Sequence, residues 1–298
     1  MTVPAAEATR KAGGRRPSPA LWVASAAEIA VAFVVATILF SSHGASTPTS
    51  HSDMAGMPGM PGMSPRQVQI HWQATTLVFA ALTAAALIWW LSTRARVPAV
   101  VAAVGLIAVG ASGEVRAMAV QSHLAAMAAL EALLVGAPLL FIAALRPRQS
   151  SAVSSRSLLW TATLIFAVAL NSALLIALHL PAIHDRGMGL ATVPLWLAFV
   201  AVLVGLAYWA AILLTTRHIE SRVRRDAMIV GQEVAAILGL AILIRPFPYM
   251  HHTNPFGLSS AVDQRLGGIL MFAACAAVAM PLAKRIAPQE HRMEEHVR

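Results

Sequence analysis

The chain has 298 residues, 58% of them hydrophobic and only 12% charged, with a mean hydropathy of +0.68. That is more apolar than a soluble domain needs to fill a core, and it identifies an integral membrane protein. The net charge of +9 does not signal nucleic-acid binding, because the basic residues sit in short loops beside apolar runs, where topology and anionic lipid account for them.

The apolar runs are about 20 residues long, which matches a hydrocarbon layer of roughly 30 Å at 1.5 Å per helical residue. A lipid-exposed backbone must satisfy its own hydrogen bonds, so the expected fold is all-α: a polytopic bundle of about eight transmembrane helices. A basic tail over 1–19 leads into the first span, Ala20–Phe40. This span reads as an uncleaved anchor, since it is long for a signal peptide and Ser42-His43-Gly44-Ala45 is a poor cleavage site. A loop over 41–73 follows, and a seven-helix domain occupies 74–285. Its spans are expected at Ala74–Leu91, Val97–Ala111, Ala117–Leu145, Ser157–Leu180, Ala191–Leu214, Ala227–Tyr249 and Leu266–Ala283, with a tail over 286–298. In this arrangement all 22 Lys and Arg residues except Arg66, Arg116, Arg186, Arg245 and Arg265 fall on the side of the two tails. The positive-inside rule therefore places both termini in the cytoplasm of a bacterial-type membrane.

The loop over 41–73 carries a soft-ligand pattern. His43, His51 and His71 accompany Met54, Met57, Met60 and Met63, the last three at a three-residue spacing interrupted by Gly and Pro. Those breakers deny the segment a helix or strand, so the methionines are not a packing face. Thioether suits Cu(I) and imidazole suits copper in either oxidation state, which makes copper the expected ligand. A low-complexity linker is the plainer alternative.

In the fourth span His123, Met127 and Glu131 recur every four residues and so share one helical face, descending from the outer rim. Glu131 is costly in hydrocarbon and is expected to face a partner or cavity; Glu28 and Glu233 are further expected buried carboxylates. His123 has no evident partner at its depth, which counts against a haem site with paired axial ligands. At the end of the fifth span Pro181 turns the chain, and His179, His184 and Asp185 are expected together on the rim, where Asp185 either coordinates metal or caps the turn. Met250, His251 and His252 form a second outer cluster, and Asp263 stands where it could cap the last helix. Cys275 is alone in the chain; it provides no disulfide or Cys-x-x-Cys chelator and reads as a packing residue.

The segment Asp263-Gln264-Arg265-Leu266-Gly267-Gly268-Ile269-Leu270-Met271 resembles the Asp-Gln-x-Leu-Gly-Gly-x-x-Met signature of the CtaG-type cytochrome c oxidase (caa3-type) assembly family. His179-Leu180-Pro181 resembles the family's Trp-His-x-Pro turn, and Gly239-Leu240-Ala241 with Pro248-Tyr249 resembles the approach to its penultimate loop. The resemblance spans roughly residues 74–285 and leaves the methionine loop outside. It carries over His179, Pro181, Asp263, Gln264, Gly267 and Gly268 as motif positions. Where the family has His-Met-x-x-His in its fourth span, this chain has Ser122-His123-Leu124, and the family's histidines near the sixth span are missing between Ala191 and Trp209.

The resemblance implies a non-enzymatic membrane assembly factor for a haem-copper oxidase, with oxidase subunits and a copper chaperone as partners beside the lipid bilayer. The loop and rim donors add the expectation of copper captured on the outer face. A copper transporter or resistance protein is the alternative, using His123, Met127 and Glu131 as an inward route. A haem-binding electron-transfer protein is a third reading. The chain shows no nucleotide-binding motif and no hydrolase triad.

Overall fold

The computed structural model describes residues 70, 72–145, 157–180, 190–246 and 255–286. The expected first span, Ala20–Phe40, and both tails lie outside the described residues. Among the described residues the structure is helical, with six helices long and apolar enough to cross a membrane, or seven if one bent pair counts as a single span.

Helix α1 (Ala74–Thr93) ends at Arg94, whose φ of 54° turns the backbone through the left-handed region while its N–H donates to the Trp90 carbonyl. The Arg94 guanidinium lies 4.7 Å from the Trp90 ring centroid, which holds this turn by a cation–π contact. Helix α2 (Arg96–Gly110) has 15 residues and so rises only about 22 Å, short of a membrane's hydrocarbon thickness. The chain then bends by 58° into α3 (Gly113–Gln121), whose start is capped by Ser112.

The expected continuous helix Ala117–Leu145 is broken. Ser122 is extended, with φ −142° and ψ 124°, and its hydroxyl accepts the Ala125 N–H at 3.1 Å. An N-capping serine competes with helix continuation, and here it starts a new helix at His123. That helix, α4 (His123–Glu131), runs through a π-helical turn (Ala132–Gly136) into α5 (Ala137–Leu145). The remaining helices are α6 (Ser157–His179), α7 (Leu195–Leu213), α8 (Ser221–Ile244) and α9 (Ser260–Ile286).

The α4–α5 rod is central, packed against α2, α7 and α9. Around α4 the core gathers Met127, Leu130, Leu133 and Leu134 with Leu175, Val234, Leu238 and Met271. Around α5 one cluster joins Ile142 to Leu164, Trp209 and Ile212, and another joins Ala137 and Leu140 to the alanines of α2. Glycine permits the closest crossings. A Cβ at Gly268 would lie 2.5 Å from the Gly239 carbonyl oxygen, so α8 and α9 meet backbone to backbone there, the small-residue contact typical of membrane helices. Gly205 of α7 likewise sits against the Leu134 carbonyl, which the π turn presents to it.

Large apolar side chains such as Leu77, Phe79, Leu82 and Ile88 point outward along α1, as lipid-facing residues do. Glu233, expected to be buried, is exposed. The face of α8 that packs carries Val234, Ala235, Leu238, Gly239 and Ile242, and the helical period leaves Glu233 on the outward stripe with Ile229, Leu240 and Ile244. Arg224 departs from a simple surface charge in the opposite sense. It is buried, and its Nη1 donates to the Ile212 carbonyl at 3.0 Å, satisfying the C-terminal end of α7.

The two ends of the bundle differ in character. A cavity of about 810 Å³ at one end is lined by Trp90, Arg94, Leu213, Pro281 and Arg285, among others. Ser122, His123, Glu114 and Asp263 lie at the other end.

Candidate functional site

The histidine end is built from the Ser122 break. Because α4 begins at His123, the first backbone N–H groups of that helix have no intrahelical acceptor and need one from elsewhere. Asp263, from the first turn of α9, supplies it. Its Oδ2 accepts the His123 N–H at 2.6 Å, and its Oδ1 accepts the Ser122 hydroxyl at 2.7 Å and the Leu124 N–H at 3.4 Å. Asp263 was expected to cap its own helix; it caps the helix beside it instead. The geometric reason is that α9 crosses α4 at this point with the carboxylate facing the free amides. A carboxylate at a helix N-terminus is also favoured by the helix dipole.

The rest of the nine-residue motif has a place in the same contact. Gly267, one turn along α9, lies under the His123 ring, where an added Cβ would come 2.6 Å from Cδ2 and 3.3 Å from Nε2. Gly268 makes the crossing with α8, and Met271 is wholly buried in the core beyond it. Gln264 is 1% exposed, and its Nε2 donates to the Ser260 hydroxyl at 3.1 Å. The motif therefore positions α9 against α4 and α8 rather than forming a surface.

His179 is not on the rim. It is fully buried at the end of α6, and its ring stands beside that of His123 with centroids 6.2 Å apart and planes 80° apart. His123 thus has a neighbour at its own depth, contrary to the expectation that it has none. The interrupted helix explains the difference: starting α4 at His123 places that residue at the helix end, level with the end of α6. The Nδ1 of His179 lies 2.7 Å from the Leu175 carbonyl oxygen. A carbonyl only accepts, so Nδ1 carries the proton and, in the neutral ring, Nε2 keeps its lone pair.

Below His123, Met127 is buried one turn along the same face, whereas Glu131 is half-buried at the entrance to the π turn. Single π turns inside α-helices recur at functional sites, and this one begins nine residues along the same rod from His123.

Other polar contacts close the same end. Gln73 N–H and the Thr76 hydroxyl donate to the Glu114 carboxylate at 3.2 and 3.1 Å, tying α1 to α3. Arg116 donates to the Ala111 and Val193 carbonyls at 3.0 and 2.7 Å and so pins the segment leading into α7.

His43, His51, Met54, Met57, Met60, Met63, His71, Pro181, His184, Asp185, Met250, His251 and His252 lie outside the described residues, as does Glu28. Among the described residues no three His, Cys, Asp or Glu side chains are grouped to hold a metal ion. What remains is a pair of imidazoles, with Met127 buried one turn along α4 from His123. Sequence reasoning missed this pairing and the role of Ser122. A serine immediately before an apolar run is a helix-start signal, and it marked the break.

A family model for the cytochrome c oxidase caa3 assembly factor matches residues 80–289. No curated protein and no solved structure matches the chain.

Proposed function

The chain belongs to the cytochrome c oxidase caa3 assembly factor family, and from that premise we propose that it delivers copper to a haem-copper oxidase from the outer side of the membrane. The family supplies the assembly role, and the observation that carries the copper reading is the buried pair His123 and His179 at one end of the bundle. Imidazole and thioether donors suit copper better than a hard cation. The distribution of Lys and Arg supports placing the histidine end outward, on the side of the methionine and histidine loop.

In this reading the loop donors His43, His51, Met54, Met57, Met60, Met63 and His71 collect copper, which is the cargo, from a chaperone. The bundle holds it for an oxidase subunit. The protein's own residues bind and orient; they carry out no bond-making reaction on a substrate.

Deletion of the gene tests this. Membranes from cells grown at limiting copper are expected to lose cytochrome c oxidase activity, and a plasmid copy or added copper is expected to restore it. Normal oxidase activity in the deletion strain at limiting copper contradicts the proposal.

A further inference from the structure

Resting on the copper-handling reading above, we propose that His123 and His179 together seat one cuprous ion inside the bundle, with the Met127 thioether as a third donor. The first argument is distance. A metal–imidazole bond of about 2 Å puts an ion about 3 Å from a ring centroid, so an ion held in line between two imidazoles sets their centroids about 6 Å apart, and a third donor that bends the pair draws them about 1 Å closer; these are 6.2 Å apart, which suits a nearly linear pair with the thioether as a weak third donor. Rotation about a metal–nitrogen bond is unrestricted, so the 80° between the ring planes fits such a bridge.

The second argument is orientation. The Leu175 carbonyl fixes the His179 tautomer and aims the Nε2 lone pair away from its own helix. A backbone carbonyl on the far nitrogen is the usual way a metal-binding histidine is oriented. His123 is held from the other side: its backbone N–H is fixed by Asp263, and its ring rests on Gly267, where any side chain would displace it. Met127 stands one turn from His123 in the same core cluster as Leu175.

The third argument is charge. Both Asp263 oxygens accept hydrogen bonds from Ser122, His123 and Leu124, and the imidazole and thioether groups assigned to the ion are neutral donors. A buried site of neutral nitrogen and sulfur donors favours a soft monovalent ion over a divalent one, whose burial carries a larger desolvation penalty. The Asp263 carboxylate, hydrogen-bonded to the His123 backbone N–H, offsets the single positive charge.

The test uses the full chain with the Met and His residues at 43–71 and 250–252 replaced by Leu and Ala, loaded with Cu(I) under reducing conditions in detergent. This variant is expected to retain one copper per chain, with nitrogen and sulfur scatterers in its X-ray absorption spectrum. His123→Ala and His179→Ala are each expected to lose the ion. Met127→Leu, a volume-conserving change, is expected to lose only the sulfur scatterer while unfolding at the parent's temperature. If the wild-type chain binds Cu(I) but the loop variant binds none, the bundle site is overturned and the copper reading survives. If the wild-type chain binds none, both fall. A Soret band in the purified protein, or retention of Zn(II) in preference to Cu(I), overturns the site as well.

Discussion

At the scale of single residues, Asp263 holds the histidine end together. Asp263→Ala leaves the Ser122 hydroxyl and the His123 N–H without their acceptor in a buried place, and an unsatisfied buried group costs about 1–3 kcal/mol. The variant is expected to unfold at a clearly lower temperature in detergent, followed by circular dichroism. Asp263→Asn keeps one acceptor oxygen and should lose less; equal stability of all three proteins would contradict the capping role. The two motif glycines differ in a way that can be checked. Gly267 faces the edge of a side-chain ring that can shift, whereas Gly268 faces a backbone carbonyl that cannot. Overpacking costs about 1–3 kcal/mol, and Gly268→Ala is expected to be the more destabilised of the two, while Gly267→Ala disturbs the histidine pair first. Residue types were legible in the sequence here and partners were not. The motif marked Asp263 and both glycines, but nothing in the spacing said that Asp263 would serve a helix 140 residues away.

At the scale of elements, hydropathy located most spans to within a few residues, because a run of about 20 apolar residues admits few other structures. It failed where local polar chemistry overrides an apolar run. Ser122 splits the expected fourth span, and its first residues, Ala117 to Gln121, belong instead to α3 of the bent pair α2 and α3. The nine residues before Ser122 include Glu114, Arg116 and Gln121 and are more polar than the nine after it, but a hydropathy window averages across the junction and does not locate the break. The π turn was only partly legible: Gly136 and Pro138 weaken the helix there, Pro138 having no N–H for the Leu134 carbonyl, but neither residue by itself specifies a π turn. A π turn amounts to one extra residue in an α-helix. Deleting Ala132 is therefore expected to restore a regular helix and rotate His123 and Met127 by about 100° relative to α5. The deletion variant should accumulate in membranes yet fail to restore oxidase activity to a deletion strain. Full restoration would mean that the register set by the π turn does not matter.

At the scale of the whole molecule, composition was sufficient for the fold class, and the nine residues from Asp263 to Met271 were sufficient for the family that matches residues 80–289. The interior pairing of His123 with His179 needed the structure, because it depends on the start of α4 and the end of α6 reaching the same level. Arg94 and Arg285 stand at one end, the histidine pair with its Asp263 cap at the other, and a central rod with a widened turn lies between them. The copper of the target oxidase is where this account is tested most directly. The measurement is the ratio of copper to haem in oxidase isolated from cells lacking this chain and grown at limiting copper. Assembled, haem-containing enzyme deficient in copper is expected, with the full ratio returned by the wild-type chain. A full copper complement in oxidase from the deletion strain would contradict it.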